Sequence, residues 1–457
     1  MFFVAALVTI LFAANVSAQK QWSLEDCINY AFDNNIQIKQ SELNVETANN
    51  EYLQRKLNLI PSLNASTSYN LGWGRSIDMA TYKYTDNNTQ QSYFSVNSDV
   101  TLFNGLQQLN TIRQKEFDYL AQKYNYEKIR NDMSLNIASA YLQILFNEEL
   151  VKNAQRQVDI TNQQIERTKK QVEAGTVARG SLLDIEAQGA NEQSTLVSNK
   201  NRLMLAYLDL KQLLDLKASE EFDIEKPKLE VKPEATEVVP PEMIYNKALN
   251  IMPEIKGAES QLSSAEKALS VSKGSRWPVL SMNGGYATNY SDQIRMSNNP
   301  LDPDFNNIKP FSDQLRDNRN ITLGFRLSVP VFNGFQASTR IKQSKIYYEN
   351  ANLNLELEKN RLRKNIEQAY ADAVASYQTY LAREKSLEAL RESFNYAQEK
   401  FDVGMVNSTD YNVAKIKLSK AESDLASAKY DYIFKTRILD FYLGKPITLK
   451  NVTAGNK

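Results

Sequence analysis

Between residues 62 and 73 the chain alternates almost perfectly. Leu63, Ala65, Thr67, Tyr69, Leu71 and Trp73 take the odd positions; Ser62, Asn64, Ser66, Ser68, Asn70 and Gly72 take the even ones. A period of two puts each set on one face of a β-strand, so the stretch predicts a strand with an apolar and a polar side. Three more stretches alternate in the same way: Phe94, Val96, Val100 and Leu102; Leu280, Met282, Tyr286 and Tyr290; and Ile321, Leu323, Phe325, Leu327, Val329 and Val331. Each is about the 9–11 residues that a tilted strand needs to cross a bilayer. The intervening residues, among them Asn97, Asp99, Asn283, Asn289 and Arg326, suit water. Residues Thr81 to Gln91 and Ser291 to Asn318 are polar and rich in Asn and Asp, and they read as loops outside the cell.

The pattern then turns helical. Leu106 to about Val172 contains no proline and carries Ile137, Ile144, Val151, Val158, Ile165 and Val172 at intervals of seven. Ile366, Ala373, Tyr380, Leu387, Phe394 and Phe401 repeat the stripe later in the chain. A sustained repeat of seven imposes left-handed coiled packing between helices. At ~1.5 Å per residue such a helix is about 100 Å long. Two shorter helices, roughly 22 to 60 and 181 to 216, together nearly match it and would stack end to end beside it.

These segments are one module written twice. Phe103-Asn104-Gly105, Asn136-Ile137 and Gly175 recur 229 positions later as Phe332-Asn333-Gly334, Asn365-Ile366 and Gly404. Ala31, Ile38-Lys39 and Pro61 recur as Ala248, Ile255-Lys256 and Pro278, now 217 positions on, which requires an insertion of 12 between Pro278 and Phe332. The expected organisation is a signal peptide over 1–18, a first repeat over 19–217, a Lys/Glu/Pro-rich linker over 218–240, a second repeat over 241–445 and a tail over 446–457. The signal rests on the apolar run 2–14 followed by Val16-Ser17-Ala18, although the usual preceding basic residue is missing.

Composition narrows the chemistry. The 54 basic and 54 acidic side chains cancel, so nothing favours nucleic acid. With no histidine and Cys27 as the only cysteine, a Ser-His-Asp triad, a Cys/His metal cluster or a disulfide cannot be built within one chain. Neither a P-loop nor a dinucleotide fingerprint is present, so the reading is of a protein that is not an enzyme and carries no cofactor. Cys27 follows Leu24-Glu25-Asp26, which lacks the small apolar residues of a lipidation site, and is read as a buried helix cysteine.

Strands facing lipid must close into a barrel, because an unpaired backbone group there costs several kcal/mol. Four strands are too few, whereas three copies supply twelve and a ring is the usual homo-oligomeric symmetry. The expected fold is therefore an α+β membrane protein: a trimeric 12-stranded transmembrane β-barrel, four strands per chain, continued by a coiled α-helical tunnel. The Phe-Asn-Gly exits at Phe103 and Phe332 and the hairpin tips Val172-Glu173-Ala174-Gly175 and Phe401-Asp402-Val403-Gly404 extend the picture, and with them essentially the whole mature chain resembles the TolC-type outer-membrane efflux proteins.

That resemblance implies a gated passive exit duct in the outer membrane of a Gram-negative bacterium, helices in the periplasm. Its implied partners are outer-membrane lipid, a periplasmic adaptor (membrane fusion) protein and an inner-membrane pump of the RND or ABC type, in an efflux or type I secretion system. It also implies adaptor docking at the tips, where Gly175, Thr176, Val177, Gly404, Met405 and Val406 are the candidates. Independently, both glycines suit a left-handed helix C-cap. In the family an aspartate six residues after the second tip glycine narrows the tunnel; Asp410 matches it, while the position nine residues on is Val413. In the first copy those two positions are Ser181 and Asp184, so Asp184, Asp410 and Ser181 are the gate candidates. Asp410 also suits the N-cap of the last helix. Trp73, Tyr93, Trp277 and Tyr290 are candidates for interfacial aromatic belts or for internal packing. A periplasmic coiled-coil scaffold or adaptor would share the signal and the heptads but not four strands of lipid length.

Overall fold

The computed structural model describes residues 21–449 apart from 79–81, 218, 220, 228, 230, 232–238, 298 and 300. The expected signal peptide, about half of the linker and the tail beyond residue 449 fall outside the described residues. The chain forms two compact units: one of residues 1–44, 123–256 and 356–457, the other of residues 45–122 and 257–355.

The second of these holds the sheet. Strands β1 (Asn64–Ile77), β2 (Tyr84–Phe103), β3 (Val279–Ser291) and β4 (Asn320–Ser328) run antiparallel in sequence order, leaving β1 and β4 as edges. The register aligns Thr67 with Phe94, Phe94 with Thr288, Val96 with Tyr286, and Tyr286 with Ile321. The alternating apolar residues of all four strands therefore share one face, and the Ser/Asn set shares the other. A register shift between Thr101 and Phe103 lets Phe103, not Leu102, stand opposite Leu280. Strand β2 begins at Tyr84, so residues 84–91, expected as loop, pair with β1. Strand β4 stops at Ser328, leaving Val329 and Val331 beyond it. The expected loop 291–318 contains a 3-10 turn (Pro303–Asn306) and a short helix, α7 (Phe311–Asp317), that packs on β3.

The helices come in pairs of equal length. Helices α1 (Leu24–Asn34) and α5 (Pro241–Ile251) have 11 residues, α2 (Ile36–Leu57) and α6 (Pro253–Gly274) 22, α3 (Gln107–Glu173) and α8 (Gln336–Asp402) 67, and α4 (Arg179–Leu213) and α9 (Ser408–Tyr442) 35. The segment expected as one helix from 22 to 60 is broken at Asn35. Its Oδ1 accepts from Gln37 N (2.9 Å) and Ile38 N (3.2 Å) and so starts α2 as a new helix. Between α5 and α6 the break falls at Met252, where Pro253 forbids helical backbone at the preceding residue and occupies the first position of the next helix. Ser23 starts α1 with a capping box closed by Asp26.

The first unit's core is built from the heptad stripe. Ile137 and Ile144 of α3 are fully buried with Cys27, Ala31 and Ile38, and with Leu210 and Leu214 at the end of α4. Burial of each such side chain contributes about 1.5–3 kcal/mol. Ile224, within the segment expected only as a linker, is fully buried and bridges Trp22 in a parallel β-bridge. Tyr141 locks this crossing by donating its hydroxyl to Glu225 O at 2.6 Å. No described helix is long and apolar enough to cross a membrane.

Candidate functional site

Each long helix ends in the same backbone motif. Gly175 (φ 72°) and Gly404 (φ 78°) are left-handed. Thr176 N donates to Gln171 O (2.9 Å) and Gly175 N to Val172 O (2.9 Å); Met405 N donates to Lys400 O (2.8 Å) and Gly404 N to Phe401 O (3.1 Å). These 6→1 and 5→2 bonds form a Schellman cap, which satisfies the last carbonyls and reverses the chain within four or five residues. A Cβ at either glycine would touch nothing, so the glycines are required by φ and not by crowding. Thr176 and Met405 stand exposed at the turns, and Val177 and Val406 are half-buried.

The returning helices begin differently. Helix α4 starts from Ala178 with no side-chain cap, whereas Asn407 caps α9 by accepting from Asp410 N at 2.8 Å. Asp410 is thus the third residue of α9 and not its N-cap, and a carboxylate there suits the positive end of the helix dipole. Ser181 occupies the equivalent place in α4, half-buried, while Asp184 and Asp410 are exposed. The fold brings Asp402, at the second tip, to Arg167 of α3 (2.6 Å).

Further along the hairpins from the tips lies a group that the sequence reading missed. Lys415 of α9 is only 3% exposed; its Nζ donates to both oxygens of Glu192 in α4 (2.9 and 3.2 Å), to Gln157 O in α3 (3.4 Å) and to Thr161 Oγ1. Thr161 donates in turn to Glu192 Oε2, and Gln188 Nε2 donates to Glu192 Oε1 at 2.9 Å. Burial lowers the Lys415 pKa, and the Glu192 hydrogen bond and charge oppose that shift. The signal for this lysine was its spacing, since it interrupts the apolar stripe of Tyr411 and Leu418. Tyr411 itself is stacked on Phe401 (4.7 Å) and tilted against Phe394 (5.6 Å), and burial raises its hydroxyl pKa. Among the described residues no set of three His, Cys, Asp or Glu converges as metal ligands.

Two long helices with glycine-capped tips, two returning helices and a four-stranded sheet with one apolar face make a distinctive combination, and the model of the family described as outer membrane efflux protein matches residues 27–215 and 244–445. The chain belongs to the outer membrane efflux protein family. Outer membrane protein TolC of Vibrio cholerae is 22% identical to this efflux protein over 417 residues, covering 90% of this chain and 88% of the relative. The cation efflux system protein CusC of Escherichia coli O157:H7 is 21% identical over 368 residues, covering 78% and 72%. A solved CusC structure superposes with a TM-score of 0.76 at 18% identity over 93% of this chain and 92% of that one. The Campylobacter jejuni CmeC outer membrane channel does so with 0.75 at 15% identity over 93% and 86%. The fold is that of these channels, and the protein is an outer-membrane efflux protein.

Proposed function

We propose that three copies of this efflux protein close a twelve-stranded barrel across the outer membrane, with the helices forming a periplasmic tunnel, and that the assembly is a passive, gated exit duct. The observation that carries this reading is the sheet. Its apolar face is bare along β4, with Ile321, Leu323, Phe325 and Leu327 between 64 and 77% exposed. Its two edges, β1 and β4, are open. Such a surface is stable only in lipid, and open edges in lipid demand closure by further copies.

Internal symmetry supports a head-to-tail ring. At the first strand-to-helix exit, Gly105 lies against Gly274 and Trp277 at the end of α6 and the start of β3. At the second, Gly334 meets nothing, and Val331, Phe332 and Phe335 are exposed. The positions equivalent to Gly274 and Trp277 are Leu57 and Ile60, also exposed, which another copy would bring to the bare exit.

The energy for transport then comes from partners: a periplasmic adaptor and an inner-membrane pump of the RND or ABC type. Exposed Thr176 and Met405, with Gly175, Val177, Gly404 and Val406 shaping the turns, form the adaptor-docking tips. Asp184, Asp410 and Ser181, just beyond them, line the narrow end, where threefold repetition makes an acidic ring. Single-channel conductance in a planar bilayer tests the duct, with wild type expected to give small discrete steps and Asp184→Ala/Asp410→Ala larger ones. Unchanged steps would remove these carboxylates from the gate, and a native mass other than three chains would sink the barrel. Thr176→Asp/Met405→Asp should abolish cross-linking to the adaptor and leave conductance intact.

A further inference from the structure

Strand β3 outruns β4. The β4 pairing ends at Asn320 opposite Ala287, yet β3 continues to Ser291, paired on its other side with Gln91 of β2. The chain fills the gap with helix α7. Fully buried Gln314 accepts from Ser291 N (2.9 Å) and donates to Ser291 O (3.0 Å) and Lys309 O (2.8 Å). Asn318 Nδ2 donates to Asn289 O (2.8 Å), and the Thr288 hydroxyl donates to Leu315 O (2.7 Å). Side-chain amides thus satisfy backbone groups that a missing strand would have paired.

The side on which α7 lies is set by the register. Phe94 and Thr288 are opposite each other, Tyr290 is two residues further along, and all three belong to the apolar face. The Phe311 ring stands edge-on to Phe94 (6.2 Å) and tilted to Tyr290 (5.3 Å). Helix α7 therefore covers the outward end of the apolar face and not the polar one. Tyr290 is consequently packed under Phe311, and Tyr93 points to the opposite, polar face. In the same connection Leu301 is 91% exposed, and Met296, Ile308 and Phe311 are exposed as well. Several charges of this connection are paired, Lys309 with Asp317 (2.6 Å), Arg316 with Asp313 (3.3 Å) and Asp317 (3.1 Å), and Arg295 with Asp78 (3.2 Å), while Asp302 accepts from Asp304 N (3.0 Å) and Asp304 from Asn307 Nδ2 (2.7 Å). Pairing lowers the cost of leaving bulk water for those groups, and Phe311 extends the apolar surface of the face that it covers.

We propose that the β3–β4 connection, residues 292–319, is an interfacial anchor whose partner is lipid: α7 and Leu301 bed into the headgroup boundary of the outer leaflet and fix how deep the barrel sits. This rests on the barrel reading above. A connection of this kind, held on β3 by hydrogen bonds and carrying apolar residues on a short amphipathic element, adds apolar area at the height where the strand row ends.

The test places an environment-sensitive maleimide fluorophore at Leu301→Cys, Phe325→Cys or Tyr82→Cys in the full-length protein. The buried native Cys27 needs no replacement. The carriers are vesicles of phosphatidylethanolamine and phosphatidylglycerol, with quenching by shallow and deep nitroxide lipids and by aqueous iodide. The label at 301 should report a depth of roughly 5–10 Å below the headgroup surface. It should be quenched more by shallow than by deep nitroxides, and several-fold less by iodide than the label at 82. Gln314→Ala should release it to iodide while leaving 325 unchanged. Iodide quenching at 301 equal to that at 82, or shielding from every quencher, overturns the anchor. If 325 also escapes the lipid quenchers, the barrel reading fails; if 325 is quenched and 301 is not, only the anchor does.

Discussion

The two hairpins of the chain have the same backbone and different anchoring. Both tips turn on a left-handed glycine with the same pair of cap hydrogen bonds. At the second hairpin Tyr411 is clasped by Phe394 and Phe401, Asn407 caps the returning helix, and Lys415 reaches Glu192 in the first hairpin. The equivalent residues of the first hairpin are Leu182, Ile165, Val172, Ala178 and Glu186. The same contrast holds at the two strand-to-helix exits, where Gly105 is hemmed in and Gly334 is open. The two hairpins share path and length, and their different side chains give each its own attachments.

The largest test of this contrast is Lys415. Lys415→Met removes one partner of a buried pair and strands Glu192, so the thermal midpoint in detergent should fall by an amount corresponding to about 3–5 kcal/mol. Glu192→Leu added to Lys415→Met should recover most of that loss, and Glu186→Ala, at the exposed equivalent position, should change little. A small loss for Lys415→Met would mean that the hairpins are held together elsewhere.

The exits come next. Gly105→Ala meets both an unfavourable φ of 67° and the carbonyl oxygen of Gly274, which the added Cβ would overlap. It should cost about 2–5 kcal/mol. Gly334→Ala meets only the φ penalty, about 1–2 kcal/mol. Equal damage from the two would show that a neighbouring copy crowds Gly334 as Gly274 crowds Gly105.

Smaller effects separate the caps and the core. Asn407→Ala should destabilise by about 1 kcal/mol, and Ala178→Asn should stabilise by a comparable amount, both read as shifts in thermal midpoint. Burial, helped by Asp26, pushes the Cys27 thiol from 9.0 up to about 12. Between those values the folded chain keeps a proton that the unfolded chain has released, so stability falls as pH rises. One unit above the ordinary thiol value the loss is about 1.4 kcal/mol. Cys27→Ala should remove that part of the alkaline slope, and native protein should resist thiol alkylation.

Much of the fold was legible because its periods are long and pure. Alternation over four segments defined the apolar face, and heptads marked the stripe that buries Ile137, Ile144 and Ile366. Boundaries were less legible. Residues 84–91 are polar throughout, and they are strand because β1 extends to Ile77 and offers a partner, which periodicity cannot report. The tip glycines announced their caps, whereas the Lys415 group was hidden: its members lie in α3, α4 and α9 and meet only when the hairpins pack.

Sequence alone determined the elements and their order, since hydrophobic period, proline, glycine and capping residues act over a few neighbours. It determined the absence of histidine chemistry. Tertiary structure decided which equivalent positions become different. Whether a glycine is crowded, whether a lysine finds a carboxylate, and that α7 turns back onto the apolar face depend on what lies across space. Those contacts join residues far apart in the chain, where no local preference can specify them.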